Sequence, residues 1–217
     1  MRKLIVIMVI NLAIAGCGSV NNALVQKKKN VEYYRIFDIK TNADRNVVAE
    51  AASNGLGRNV SSANESIPIP NFSEPPEKPG RFILANPFSD DSKLSALATM
   101  GGSINVTFAT CEGAVWTATA NKNFGAGSNL KLIACLWQYK DGYHLDTYAN
   151  FHKAEGGLMQ ISRSMANAMV GTPEEWTEKT FLDIVRSIRK VTGAEVHFVE
   201  GYPKLSGTPW LDKFDKL

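Results

Sequence analysis

Three cysteines are the side chains of this sequence most able to do chemistry: Cys17 near the start, and Cys111 and Cys135 in the middle. A thiol can attack a substrate, bind a metal, carry a lipid or pair in a disulfide, and its surroundings decide which. His144 and His152 follow in the sequence, and they are the candidate bases for an attacking thiol. The role of each cysteine therefore depends on the segments around it.

The segment before Cys17 is typical of an export signal. It has a basic start at Arg2 and Lys3, an apolar run over residues 4–14, and small residues directly before the cysteine. These are the three parts of a secretory signal. The apolar run is shorter than the roughly 20 helical residues that span a bilayer, so residues 1–16 are expected to be removed as a signal peptide.

The end of this segment, Ile14-Ala15-Gly16-Cys17, resembles the lipobox of bacterial lipoproteins. The resemblance covers this segment alone. It implies that Cys17 carries a diacylglycerol and an acylated amine, since several acyl chains together hold a protein firmly to membrane lipid. Gly18 and Ser19 follow where an aspartate would favour the inner membrane, so the family's sorting rule implies a Gram-negative outer membrane and a periplasmic domain. The alternative is an ordinary secretory signal with an incidental cysteine.

Cys111 and Cys135 are expected to form a disulfide, because two exported thiols on neighbouring strands usually oxidise. Such a bridge contributes about 3 kcal/mol in the chain-entropy model. It requires the two Cα atoms to lie within about 7 Å. We therefore expect the two strands to turn around Asn123; a turn centred on residues 125–127 would keep the cysteines apart.

A second interpretation makes Cys111 a nucleophile. The run from Cys111 to Trp116 is distantly similar to the start of exported cell-wall cysteine peptidases, which implies a hydrolase with His144 or His152 as its base. Glu112 stands where that family has a serine, the surroundings are β rather than helical, and the family's downstream Pro-Gly-Asp stretch is missing. The disulfide is the preferred interpretation, and no catalytic residue is assigned.

Other chemistry has no clear signature in the sequence. His144 and Asp146 share one strand face, but the spacings that bind a metal are missing, so no metal ligand and no cofactor is assigned. The 217 residues carry a net charge of only +3, which excludes a polyanion-binding surface and hence nucleic acid as a partner. The 44% hydrophobic and 21% charged residues exclude a wholly disordered chain.

The pattern of residues predicts an α+β protein: an antiparallel β-sheet with a C-terminal helical layer on one face, preceded by a β–α unit. Residues 17–30 are expected to be a lipidated tether. Residues 31–56 form the β–α unit, with a strand over 31–40, a helix capped by Thr41 or Asn42, and a stop at Gly55. That unit is too small to stand alone, so it is expected to dock on the main domain. Residues 57–80 hold five of the nine prolines, which exclude a helix or central strand and favour a linker or long loop.

The main domain is predicted over residues 81–200, followed by a tail over 201–217. Its expected strands are 103–110, 114–120, 130–139, 144–151 and 194–199. A helix over 158–170 is followed by one with a complete start signal, since Thr172 can cap it, Pro173 suits its first position and Glu175 can close a capping box. This last helix is expected to bury Phe181, Ile184, Val185, Ile188 and Val191 and to stop at Gly193.

One sheet face is a candidate binding surface. Asp141-Gly142 favours a two-residue turn that sets Tyr139 opposite His144. Alternation then gives a core face and a second face, and this second face carries Trp137, Tyr139, His144 and Tyr148. An exposed aromatic face is typical of a recognition site; the alternative is that the β–α unit or the tail around Trp210 covers it.

The sequence as a whole predicts an outer-membrane-anchored periplasmic lipoprotein that serves an envelope protein partner without being an enzyme. Membrane lipid, through Cys17, and that partner are the expected contacts. A cell-wall hydrolase using Cys111 and a small-ligand module using the aromatic face are the alternatives.

Overall fold

The computed structural model describes residues 27–69, 74–85, 108–124, 129–155 and 171–204. Eight strands and two helices lie in these ranges. The strands are β1 (Lys27–Lys40), β2 (Ala63–Ser66), β3 (Ile83–Ala85), β4 (Phe108–Thr110), β5 (Trp116–Asn123), β6 (Asn129–Tyr139), β7 (Gly142–Glu155) and β8 (Glu195–Tyr202). The helices are α1 (Arg45–Gly57) and α2 (Pro173–Thr192). Cys17, the predicted helix over 158–170 and Trp210 lie outside the described residues.

Six strands form one antiparallel sheet in the order β2-β5-β6-β7-β1-β8. β1 lies between β7 and β8, so the β–α unit supplies an inner strand of the main sheet. The predicted α+β class, with an antiparallel sheet and a C-terminal helix on one face, is confirmed. β1 begins at Lys27, four residues inside the predicted tether, because its first residues pair with the end of β7.

Helix α2 forms as its start signal predicts. The Thr172 side chain accepts from the backbone N–H of Glu175, and the Glu175 carboxylate accepts from the backbone N–H of Thr172, which completes the capping box. Gly193 ends the helix with φ +66°, a left-handed conformation that glycine adopts without strain. The predicted buried stripe is correct as far as Ile188, but Val191, in the last turn, is 56% exposed.

Helix α1 differs from the prediction at both ends. Its cap is Asp44, whose Oδ1 accepts from Asn46 N at 2.8 Å, while Thr41 Oγ1 accepts from Ala43 N in the preceding turn. The helix passes Gly55 and ends at Gly57. Gly55 is required instead by packing, since a Cβ there would lie 2.5 Å from the Asp183 carbonyl oxygen of α2. Both helices pack on one face of the sheet and enclose the main core.

The proline-rich stretch over 57–80 is part of the fold. Residues Ala63–Ser66 form the edge strand β2 on β5, and Pro68 follows the strand, which agrees with the exclusion of proline from central strands. Residues 74–82 lie against the other face of the sheet. Only 108–110 of the strand predicted over 103–110 is described, and it pairs with β3 in a separate two-stranded sheet.

The β6–β7 register differs from the prediction by two residues. Tyr139 pairs with Gly142, and Trp137 rather than Tyr139 lies opposite His144. Gly142 is needed for a reason other than the turn: its φ is +144°, and a Cβ there would collide with the Ile39 carbonyl of β1. Because side chains alternate with period two, a shift of two residues leaves every side chain on its predicted face.

The β5–β6 register also corrects a prediction. Trp116 pairs with Leu136 and Asn123 with Asn129, so the connection is centred on residues 125–127 rather than on Asn123. The cysteines meet nonetheless, because Cys111 precedes β5. A turn, closed by Ala114 N donating to Cys111 O at 3.2 Å, carries Cys111 back over the sheet to Cys135.

Candidate functional site

The four residues of the candidate binding face share one side of β6 and β7, as alternation predicts. Trp137 and His144 are direct partners, with Tyr139 and Tyr148 on the same side. All four are buried, with exposed fractions between 2% and 6%. The structure therefore contradicts their interpretation as an exposed recognition surface.

A second layer covers this face, formed by residues 74–82 and 109–114, which we call the cover. Gly80 lies so close to the Trp137 indole that a Cβ would collide with it. Trp137 Nε1 donates to the Glu112 carbonyl at 2.9 Å, and the Phe82 ring lies 5.9 Å from that of Tyr148. The β–α unit, one of the two expected coverings, is not the cover, because α1 packs on the opposite face. The other, the tail around Trp210, is outside the described residues.

The disulfide joins the cover to the sheet. Cys111 belongs to the cover and Cys135 to β6, and their sulfurs are bonded with the Cα atoms 5.6 Å apart. Cys135 is buried and Cys111 half-buried. With Ala109, Ala114, Trp137 and Tyr148, they form a small second core. The Cys111 sulfur is thus engaged in a covalent bond rather than presented as a thiolate.

A buried carboxylate, Asp146, fixes the other end of the cover. Its Oδ1 lies 3.0 Å from His144 Nδ1, and its Oδ2 accepts from the Phe82 backbone N–H at 3.1 Å. Arg81 Nε lies 3.4 Å from the same Oδ2, and Arg81 also pairs with Glu200 of β8 at 2.5 Å. Because a buried charge is costly without partners, these contacts explain why Asp146 is tolerated there. Asp146 thus holds Arg81 and Phe82 of the cover against the sheet, and His144 contacts the other oxygen of its carboxylate.

Tyr139 belongs to a third cluster, with Asp38 and Lys40 of β1. Its hydroxyl donates to Asp38 Oδ1 at 2.6 Å and accepts from Lys40 Nζ, and Lys40 also pairs with Asp38 Oδ2 at 3.1 Å. The hydrogen bond to Tyr139 raises the pKa of Lys40 to about 12. Burial, followed by the hydrogen bond to Asp38, raises the pKa of Tyr139. In both groups the shift of the pKa favours the protonated form.

On the helical side, Arg35 is the most buried charged side chain, at 1% exposure. Its guanidinium makes two contacts with the Glu178 carboxylate of α2, at 3.2 and 2.9 Å, and donates to the carbonyls of Tyr34 and Pro203. This bidentate geometry is the one that best compensates a desolvated ion pair. The pair ties β1 to α2.

A polar groove lies beside the end of α1 and the edge strand β2, with a volume of about 460 Å³. Its lining includes Ser53, Arg58, Ser62 and Glu65, with no histidine or cysteine. Glu65 is already bonded to the Trp116 indole N–H at 2.9 Å. The groove can offer hydrogen bonds but no nucleophile with a base.

At the same end of α1, on the side that meets α2, Asp183 is the charged centre. Burial alone would raise the pKa of its carboxyl, but bonds from Asn59, Lys179 and Arg186 outweigh burial and hold the pKa below its usual value. Lys179 Nζ lies 2.6 Å from its Oδ2 and Arg186 Nη1 3.0 Å from its Oδ1. The ionised Asp183 thus links the two helices.

No group of three or more His, Cys, Asp or Glu side chains in the described ranges is arranged to hold a metal ion. No helix in those ranges is long and apolar enough to cross a membrane.

Sequence reasoning found the second face but missed the cover and Arg35. The cover has no hydrophobic period, since prolines and glycine dominate it, so only its position after β2 identifies it. Arg35 did leave a signal: it alternates with Val31, Tyr33, Phe37 and Ile39 on the side of β1 that faces the core, and a charge at such a position requires a buried partner.

Comparisons with known proteins add little. The chain matches no family model and no curated protein. Among solved structures it is similar to a conserved protein from Geobacillus kaustophilus, at 12% sequence identity, with 78% of this chain and 99% of that chain covered and a TM-score of 0.32. At this TM-score the likeness carries no inference about fold or function.

Proposed function

We propose that this protein is a lipoprotein of a Gram-negative outer membrane, and that its periplasmic domain serves an envelope protein partner without catalysing a reaction. The observation that carries the proposal is the Ile14-Ala15-Gly16-Cys17 segment, followed by Gly18 and Ser19. Acyl chains on Cys17 would supply the anchor, since each buried methylene contributes about 0.8 kcal/mol.

The position of β1 supports anchoring close to the bilayer. The strand begins at Lys27, ten positions after Cys17, and a fully extended chain spans at most about 3.6 Å per residue. The sheet therefore starts within roughly 36 Å of the acylated residue. Because β1 is an inner strand, the tether leads directly into the most strongly paired part of the domain.

A non-enzymatic role is supported by what the reactive groups do. The sulfur of Cys111 is bonded to Cys135, which removes the nucleophile that the hydrolase alternative requires. Asp146 and its histidine partner hold the cover, and Tyr139 and Lys40 both have pKa values above their usual ranges. These groups make contacts that stabilise the fold.

The edge strand β8 is the surface we assign to the protein partner. It terminates the main sheet in the order of the described strands, and a partner strand can add to such an edge by main-chain hydrogen bonds. Val199 and Tyr202 on this strand are about half exposed, at 48% and 53%. Exposed β-branched and aromatic side chains on an edge are suited to pairing with an apolar strand.

The test is affinity capture of the lipidated chain from detergent-solubilised membranes. We expect a stoichiometric partner with the wild-type chain and its loss with Val199→Lys. The matched control is Asn54→Lys, which places the same charge on an exposed position of α1 and should retain the partner. Capture that does not depend on Val199, or no partner above background together with activity on a cell-wall substrate, would contradict the proposal.

A further inference from the structure

The strand register gathers lysines at one end of the sheet. Lys29 of β1 pairs directly with Lys153 of β7. Phe151, two residues before Lys153, pairs with Leu130 of β6, which pairs in turn with Lys122 of β5. We call the set of lysines at this end the lysine end: Lys27, Lys28, Lys29, Lys122, Lys131 and Lys153.

This is the same end of the sheet from which the chain leads back to Cys17. Lys27, Lys28 and Lys29 are strand residues rather than part of a flexible tether. Their positions are therefore fixed relative to the rest of the lysine end. The other end of the sheet carries the β6–β7 turn and lies farther from the anchor by the length of a 14-residue strand, about 45 Å at 3.3 Å per residue.

Most of the carboxylates at this end make hydrogen bonds or ion pairs within the fold. Glu32 accepts from the Tyr148 hydroxyl at 3.1 Å, Glu175 closes the capping box of α2, and Glu178 pairs with Arg35. Glu155 is the register partner of Lys27, and Glu174 lies in the first turn of α2. Among the described residues, three of these five carboxylates make short internal contacts, while Lys29 is exposed.

We infer that the lysine end lies on the anionic head groups of the membrane that holds the lipid anchor, which orients the domain as well as tethering it. The inference rests on the proposed lipid anchor. A lysine near an anionic bilayer is stabilised by the negative surface potential, and this attraction falls off within a Debye length of about 8 Å at physiological salt. A tether of at most about 36 Å allows the lysine end to come within that distance of the bilayer.

The test uses the unlipidated chain over 18–217, which contains every strand and helix described above. Its binding to vesicles of phosphatidylethanolamine with 30% phosphatidylglycerol is measured by cosedimentation, beside vesicles without the anionic lipid. Each lysine is expected to raise the partition coefficient onto anionic vesicles about fivefold. Lys27→Gln/Lys28→Gln/Lys29→Gln should therefore lower the partition coefficient on the order of 100-fold. Binding by the wild type should disappear at 1 M salt, where the Debye length is about 3 Å.

The matched control is Lys78→Gln/Lys140→Gln/Lys190→Gln, which removes three exposed lysines near the opposite end and should leave binding within twofold. Equal loss in both triple variants, no preference for the anionic vesicles, or cosedimentation with purified peptidoglycan in place of vesicles would overturn the inference. The assay contains no acylated protein, so a negative result would overturn the membrane contact of the lysine end without testing the lipid anchor. The anchor is tested separately, by the mass of the Cys17 peptide.

Discussion

Gly55 and Gly57 provide a sharp test of the packing of α1 against α2. A Cβ at position 55 would lie 2.5 Å from the Asp183 carbonyl oxygen and 2.6 Å from the Ile184 Cα, while a Cβ at position 57 would meet nothing within 4 Å. The colliding atoms at position 55 are backbone, so the helices must separate. We expect overpacking to cost about 3 kcal/mol, offset by about 1 kcal/mol of helix propensity.

Gly55→Ala should therefore destabilise the protein by about 2 kcal/mol, and Gly57→Ala should stabilise it by up to about 1 kcal/mol. The resulting difference of about 3 kcal/mol corresponds to roughly 6–12 °C in Tm for a chain of this size. Urea unfolding followed by tryptophan fluorescence, with the disulfide intact, measures it. The packing argument is refuted if Gly55→Ala is as stable as the wild type or more stable than Gly57→Ala.

Three further predictions concern other parts of the fold. Replacing Cys111 and Cys135 with serine should lower the free energy of unfolding by about 3 kcal/mol in the chain-entropy model; an unchanged urea midpoint would show that the bridge does not constrain the cover. Glu178→Gln should cost about 3 kcal/mol, because it leaves the buried guanidinium of Arg35 without its carboxylate, and Arg35→Met should cost less; the reverse order in urea unfolding would contradict this. Burial raises the pKa of Tyr148 to about 12, above the value of about 10 expected in the unfolded chain. The folded state therefore retains the phenolic proton more strongly than the unfolded chain does. The contribution of protonated Tyr148 to the free energy of unfolding is fully present below pH 10 and should be lost as the pH rises through 12. Tyr148→Phe should show a smaller loss of stability over that range, and equal losses in the two proteins would count against the assignment.

The sequence predicts correctly those parts of the fold that depend on a few neighbouring residues. The capping box at Thr172 and Glu175 and the stop at Gly193 each depend on a few neighbouring residues, so they appear in the sequence as they do in the structure. The two faces of β6 and β7 were also correct although the register was not. A two-residue error leaves side-chain alternation unchanged, which is why Trp137 and Tyr148 lie on the predicted side.

The parts that were wrong depend on long-range contacts. Nothing local indicates that β1 lies between β7 and β8, nor that the backbone at Ile39 passes close enough to Gly142 to require glycine there. The prediction that the strands turn around Asn123 is wrong for a related reason. It applies the strand register to Cys111, which lies between the predicted strands and belongs to the turn before β5. The burial of Trp137 depends on Gly80, far away in sequence, and the proline-rich composition around Gly80 excludes regular structure without saying where the segment lies.

The covered face also changes where a partner can bind. Trp137 and Tyr148 contact the cover, so this face is not open to a partner. The surfaces that we propose for recognition are the edge of β8 and the lysine end. The two surfaces have different chemistry, because the lysine end is basic, whereas β8 exposes Val199 and Tyr202 beside Glu195 and Glu200. Val199→Lys and the triple lysine variants therefore separate binding to a protein from binding to a membrane.

The most direct test of the central claim is the intact mass and N-terminal peptide of the protein extracted from membranes of cells that express the full chain. We predict a chain that begins at Cys17, with a diacylglyceryl group on its sulfur and an acyl group on its amine, in the outer-membrane fraction. A chain that begins at another residue, that retains residues 1–16, or that carries no lipid on Cys17 would contradict the account.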